Sequence, residues 1–191
     1  MKRRILLAAA MSLMSLTALP GLAAEMGDDG LHKAPWMQDT FRDLNEDLAE
    51  ARAGGRRLLI LIEQRGCIYC RKMHEEVFVV PEIEALLGER FFVLQINMFG
   101  DVEVTDFDGE VLTEKEAVAK WGALFTPTMM FFPEEMAAPA PANEVAVATM
   151  PGAFGKGTTL DLLTWVLEHG YDKDEPFQKY HARKITERAA Q

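Results

Sequence analysis

The chain has two cysteines, Cys67 and Cys70, and they lie three positions apart in the stretch GCIYCRKM. Residues at this spacing share one face of a helix, so the two thiols can react as a pair. A disulfide across so short a loop stabilises a fold by only about 2 kcal/mol, which is little for a structural bridge. The spacing therefore predicts a pair that undergoes thiol–disulfide exchange.

The segments on either side of the cysteines assign them different roles. The apolar stretch RRLLILIE predicts a buried strand just before them, and a charged helical segment follows to Val77. Cys67 then lies in the first helical turn, where free backbone N–H groups favour a thiolate, and Cys70 lies one turn deeper. This predicts Cys67 as the attacking thiolate and Cys70 as the resolving thiol. The sequence leaves open which flanking basic residue, Arg65, Arg71 or Lys72, reaches the sulfur.

Two other functions remain open at this stage. His74 continues the helical stripe of the cysteines, so Cys67, Cys70 and His74 are an alternative set of three ligands for a metal-binding or metal-delivery module. A surface histidine is the more usual interpretation of His74. The acidic segment 101–116 suggests a third function, a binding domain in which the disulfide has no catalytic role.

The amino terminus has the pattern of an export signal. A basic head, an apolar stretch and small residues before a cleavage point predict a signal peptide over residues 1–23 and a periplasmic location. No later stretch predicts stable membrane insertion. The net charge of −10 argues against nucleic-acid partners, and loss of the signal would make the chain more acidic. Residues 24–35 are predicted to be a flexible segment.

Hydrophobic periodicity places the remaining elements. An amphipathic helix is predicted from Trp36 to about Ala53, followed by the strand 56–63 and the helix that begins at Cys67. Pro81 begins a shorter helix to Gly88, and a strand follows from Phe91 to Met98. Three strands are predicted in parallel-type units and a fourth as antiparallel. Together these elements predict an α/β fold with a central mixed sheet of four to five strands.

The second half of the chain carries clearer local signals. Asp108-Gly109 between alternating apolar residues predicts a hairpin. Thr113 with Glu116 predicts a capping box at the start of a helix. The stretch LFTPTMMFFP predicts a strand with Pro127 at its entrance. A strand over 144–150, a helix over 158–170 and a C-terminal helix over about 175–190 complete the chain.

GCIYCRKM at the head of a helix, with FTPT at the start of a later strand, resembles the thioredoxin superfamily over Trp36–His169. A closer resemblance, to the thioredoxin-like proteins of bacterial sulfur-oxidation systems, the SoxW type, rests on CIYCRKMH, the insert GDVEVTDFDGEVLTEKEAVAKWG, FTPTMMFF and the ending FQKY. It implies a thioredoxin-like domain over 36–170, an inserted hairpin at about 99–113 and a helical extension over 171–191. It also implies a cis Thr126–Pro127 bond against the disulfide. The residues that it implies as support for the two cysteines in the active site are Gly66, Ile68, Tyr69, Arg71, Thr126 and Pro127.

The resemblance also implies a function. It predicts an exported disulfide reductase with no cofactor beyond the Cys67–Cys70 disulfide, a membrane thiol donor and a periplasmic protein client. A reductase is favoured over an oxidase because the dipeptide Ile68-Tyr69 contains no histidine and the large helical insert of the oxidases is missing. The chain departs from typical thioredoxins at Leu61, where they carry an acid for proton transfer; Glu63 is the nearest carboxylate.

Overall fold

A computed structural model describes residues 25–190 of the chain. The predicted signal peptide, residues 1–23, lies outside the described residues. Within residues 25–190, no helix is both long enough and apolar enough to cross a membrane.

The described residues form nine strands and seven α-helices. In chain order they are β1 (Glu25–Met26), β2 (His32–Lys33), β3 (Met37–Gln38), α1 (Leu44–Ala53), β4 (Arg57–Glu63), α2 (Ile68–Lys72), α3 (Pro81–Glu89), β5 (Phe91–Asn97), β6 (Glu103–Thr105), β7 (Val111–Thr113), α4 (Glu114–Lys120), β8 (Thr128–Phe131), α5 (Ala142–Val145), β9 (Ala148–Pro151), α6 (Lys156–Leu167) and α7 (Phe177–Ala189). A π-helical turn, Met73–Val77, continues α2, and a 3-10 turn, Gly170–Asp172, follows α6.

Five strands form the central sheet, in the order β3-β5-β4-β8-β9. The first three are parallel, whereas β8 is antiparallel to β4 and β9 is antiparallel to β8. The predicted mixed sheet is confirmed, but the parallel direction expected for the strand after Pro127 is wrong. β8 begins at Thr128, next to the loop in which Thr126 contacts Cys67, so it starts at the edge of the sheet where β4 ends and runs back along β4.

The helix predicted from Trp36 begins eight residues later than expected, at Leu44. The carboxylate of Asp43 accepts the backbone N–H groups of Asn45 and Glu46 and fixes the start of α1 there. Before it, Met37 and Gln38 pair with β5, and Phe41 is 97% exposed. The helical spacing of the apolar residues before Asp43 was therefore misleading.

The inserted segment has the predicted local structure. β6 and β7 form an antiparallel hairpin around Asp108-Gly109, and Thr113 with Glu116 forms the capping box of α4. Lys120 contacts the carboxylates of Asp106, Asp108 and Glu110 at 2.6–2.9 Å, so one cation holds the hairpin to α4.

The C-terminal part differs in detail from the prediction. The strand expected over 144–150 is a short helix, α5, followed by the shorter strand β9. The final helix, α7, packs on α6 through buried Tyr180 and an ion pair between Arg188 and buried Asp161, with two N–O distances of 2.7 and 2.8 Å.

The central sheet separates two buried apolar layers. In β4, Leu59 and Leu61 face the layer under α3 and α6, whereas Leu58, Ile60 and Ile62 face the layer under α1 and α4. Side chains alternate along a strand, so Glu63 faces the same side as Leu61. This places a carboxylate in the layer that also holds the turn after α2.

Asp47 on α1 makes the stability of the fold depend on pH. The side chain is 3% exposed, and burial raises the pKa of its carboxyl to about 6 despite a hydrogen bond donated by Thr40. The folded pKa exceeds the unfolded value, so ionisation destabilises the fold as the pH rises from about 4 to about 6. We expect Asp47→Asn to raise the free energy of unfolding by about 1–3 kcal/mol at pH 8 and very little at pH 4.

Urea unfolding at the two pH values measures this difference. The control is Asp39→Asn, which removes an exposed carboxylate nearby and should show no gain at pH 8. A loss of stability for Asp47→Asn at pH 8 would show that the fold needs the ionised carboxylate.

Candidate active site

Both cysteines are positioned by the turn that leaves β4. The strand ends at Glu63. Gly66 follows with φ +73°, a backbone conformation that residues with a Cβ atom rarely adopt. Cys67 then serves as the N-cap of α2, and its Sγ accepts the backbone N–H of Cys70 at 2.9 Å. The sulfur therefore occupies the position that a capping oxygen usually takes.

Cys67 and Cys70 form a disulfide with a Cα–Cα distance of 5.2 Å. The two sulfurs differ in accessibility, because Cys67 is half-buried whereas Cys70 is 1% exposed. An incoming sulfur can reach Cys67 but not Cys70. This difference fits the roles predicted for the two thiols.

The loop before β8 lies against Cys67. The Thr126–Pro127 bond is cis, and the Thr126 hydroxyl donates to Sγ of Cys67 at 3.4 Å. The carbonyl oxygen of Thr126 lies 3.5 Å from the same sulfur. The loop is fixed at two points, where Gly152 N–H donates to the Pro127 carbonyl at 2.7 Å and the Thr128 hydroxyl donates to the Phe125 carbonyl at 2.7 Å.

Exposed apolar side chains adjoin Cys67 and Thr126 along the chain. Ile68 and Tyr69 project from α2, and Leu124 and Phe125 project from the loop before the cis proline. Arg71, also on α2, is exposed and lies 4.0 Å from Glu75, the limit for an ion pair. The surroundings of Cys67 therefore offer an apolar rim with a basic side chain beside it.

His74 is buried, so the expectation of a surface histidine is wrong. Its Nε2 lies 3.1 and 3.2 Å from the two carboxylate oxygens of Glu63, and both side chains are 1% exposed. The Gln95 amide also donates to Glu63, at 2.7 Å. Both carboxylate oxygens face the same ring nitrogen, so we assign a donor N–H to Nε2 of His74.

The metal set suggested by the sequence is not assembled. Across residues 25–190, no group of three or more His, Cys, Asp or Glu side chains is placed to hold a metal ion. His74 uses Nε2 for Glu63, and both cysteine sulfurs are bonded to each other.

Sequence reasoning missed the part of the site contributed by residues 25–36. β1 and β2 form a hairpin, and His32 from β2 stacks on His74 with ring centroids 4.8 Å apart. Gln95 donates to the His32 carbonyl at 2.7 Å. The sequence did contain a signal that Glu63 and His74 face the core. Glu63 alternates with Leu59 and Leu61 along the strand, and His74 follows Cys70 by four positions, about one helical turn. Nothing local linked His32 to either residue.

Glu63 satisfies two buried donors, which leads to a stability prediction. Glu63→Leu leaves the ring N–H of His74 and one of the two N–H groups of the Gln95 amide without an acceptor, at a cost of about 1–3 kcal/mol for each group. We expect its free energy of unfolding to fall by about 2–5 kcal/mol in urea titrations of the oxidised protein at pH 7. Glu63→Gln has a side chain of similar shape and keeps one acceptor oxygen, so its free energy of unfolding should fall less. Equal losses in the two variants would show that the acceptor role is unimportant.

Comparisons with known proteins agree with this architecture. Residues 44–136 match the family model of the thioredoxin-like domain. A thioredoxin-fold protein from Helicobacter pylori is 18% identical and aligns with a TM-score of 0.52 over 69% of this chain and 86% of that chain. A thioredoxin from Thermus thermophilus is 23% identical, with a TM-score of 0.50 over 65% and 84%, respectively. No curated protein matches the sequence. These comparisons show that the chain has the thioredoxin fold.

Proposed function

We propose that this chain is an exported thiol–disulfide oxidoreductase that reduces disulfides in periplasmic proteins. One observation carries the proposal. The Cys67 sulfur is accessible and accepts hydrogen bonds from the Cys70 N–H and the Thr126 hydroxyl, while its bonded partner Cys70 is buried. Such a pair is suited to disulfide exchange, because the stabilised sulfur is the one that a client can reach.

The reaction begins with the reduced enzyme. The Cys67 thiolate attacks one sulfur of the client disulfide, and the other client sulfur leaves as a thiolate that takes up a proton. Cys70 loses its proton, and its sulfur attacks Cys67 in the mixed disulfide. The second client thiol is released, two electrons have passed to the client, and the Cys67–Cys70 disulfide is restored.

The position of the enzyme in a cell is supported by sequence alone. The signal pattern in residues 1–23 supports export to the periplasm, where a membrane thiol donor would reduce the disulfide again. The resemblance to the SoxW type supports a client among sulfur-oxidation proteins. No dissociable cofactor is required by this chemistry.

Trapping the mixed disulfide tests the function. Cys70→Ser removes the resolving sulfur, so the intermediate on Cys67 should accumulate. We expect disulfide-linked complexes on non-reducing gels from periplasmic extracts, and mass spectrometry of these complexes identifies the clients.

The matched control is Cys67→Ser, which leaves only the buried Cys70 and should trap nothing. Equal trapping by the two variants, or none by Cys70→Ser when it is supplied with a protein disulfide, would contradict the assignment of Cys67 as the nucleophile.

The direction of electron flow is a separate prediction. The dipeptide Ile68-Tyr69 places no cation between the sulfurs to stabilise the reduced form. We therefore expect a reduction potential below about −200 mV, on the reducing side of the range for this class, measured against a glutathione redox series. A value near −120 mV, typical of a dedicated oxidase, would reverse the direction and leave the exchange chemistry intact.

A further inference from the structure

A cavity of about 160 Å³ opens beside Cys67, between the β1–β2 hairpin and α2. The hairpin contributes Met26, Gly30 and His32, and the opposite wall includes Gln64, Ile68 and Arg71. A water molecule occupies roughly 30 Å³, so the space holds about five waters or one short side chain. Cys67 itself lines the cavity, so an occupant lies next to the reacting sulfur.

The hairpin is a fixed wall of this cavity. His32 stacks on buried His74, and its carbonyl accepts the Gln95 amide at 2.7 Å. Lys33 donates to the oxygen of the same amide at 2.6 Å, and Leu31 is buried. The hairpin lies outside residues 44–136, which match the thioredoxin-like domain, so the cavity lies between matched residues and a segment that precedes them.

The charge of the cavity is opposite to that of the chain. The whole chain has a net charge of −10, yet within residues 25–190 no carboxylate lines the cavity. Arg71 lines it directly, and the side chain of Arg65 lies across Gly30, so close that a Cβ added to this glycine would meet it at 2.8 Å. Burial and the nearby His74 lower the pKa of His32, so at neutral pH this ring contributes hydrogen bonding and the arginines contribute the charge.

Arg71 is available to bind an anion. Among the described residues, its carboxylate contact is with Glu75 at 4.0 Å, and both side chains are more than half exposed. An exposed pair at that distance is weak, whereas a guanidinium facing a carboxylate across a cavity can form two parallel hydrogen bonds. A carboxylate in the cavity would therefore compete well with Glu75.

We propose that this cavity binds the carboxylate of an aspartate or glutamate next to the reacting cysteine of the client. The enzyme then prefers acidic client segments, although its own surface is acidic. This inference rests on the proposed function, because the carboxylate is delivered by a disulfide that Cys67 attacks. The apolar rim of Ile68, Tyr69, Leu124 and Phe125 contacts the rest of the client segment.

Three peptides test the proposal. Each carries one disulfide, and the residue beside the attacked cysteine is Glu, Gln or Lys. The measurement is the second-order rate of peptide reduction by the prereduced wild-type protein at pH 7 and low salt. We expect the Glu peptide to react roughly threefold to tenfold faster than the Gln peptide, and the Lys peptide to be slowest.

Matched variants assign the preference to the cavity. Arg71→Gln should bring the Glu-to-Gln rate ratio close to one, and Arg71→Lys should keep part of the preference. Lys72→Gln removes the same charge from the neighbouring position of α2 but does not line the cavity, so its ratio should equal that of the wild type.

The outcomes separate this inference from the proposed function. Equal rates for the three peptides, or a wild-type ratio in Arg71→Gln, would overturn the carboxylate site and leave disulfide reduction intact. A ratio reduced equally by Lys72→Gln would indicate general electrostatics and would also overturn it. If no peptide is reduced, both the site and the proposed function fail.

Discussion

The proposed thiol chemistry depends on one contact, the hydrogen bond from the backbone N–H of Cys70 to the sulfur of Cys67. The bond forms because Gly66 turns the chain out of β4 with a positive φ, which makes Cys67 the cap of α2. The same turn directs one sulfur toward solvent and the other into the core. The difference between the two thiols therefore follows from where the helix begins, with no charged side chain needed between them.

Beneath the disulfide, Glu63 joins three separate parts of the chain. It accepts hydrogen bonds from His74, in the turn after α2, and from Gln95 on β5, and both of these residues contact His32 of the hairpin. A buried carboxylate is tolerated when each of its neighbours is satisfied, and loss of one member leaves the others unpaired. The network thus connects the position of α2 to the position of the β1–β2 hairpin.

Features that depend on a few neighbouring residues could be predicted from the sequence. The cysteine pair, the Asp108-Gly109 hairpin and the capping box of Thr113 are of this kind. The errors arose where distant contacts decide the outcome. Trp36 has helical spacing but packs against Phe78 and His74. β8 is antiparallel to β4 because the loop before it, at Thr126, contacts Cys67 where β4 ends. His74 is buried against Glu63 and His32, which belong to other elements of the fold.

The contrast between the acidic chain and the basic cavity is consistent with simple electrostatics. At physiological ionic strength, charges farther apart than about 8 Å are largely screened, so the net charge of −10 repels an acidic client only weakly at a distance. At the cavity, Arg71 acts at contact range, where the distance between the charges is shorter than the screening length. A client can therefore approach a surface of like charge and still be selected by one carboxylate beside its cysteine. The hairpin contributes to this selection, because Met26, Gly30 and His32 form one wall of the cavity.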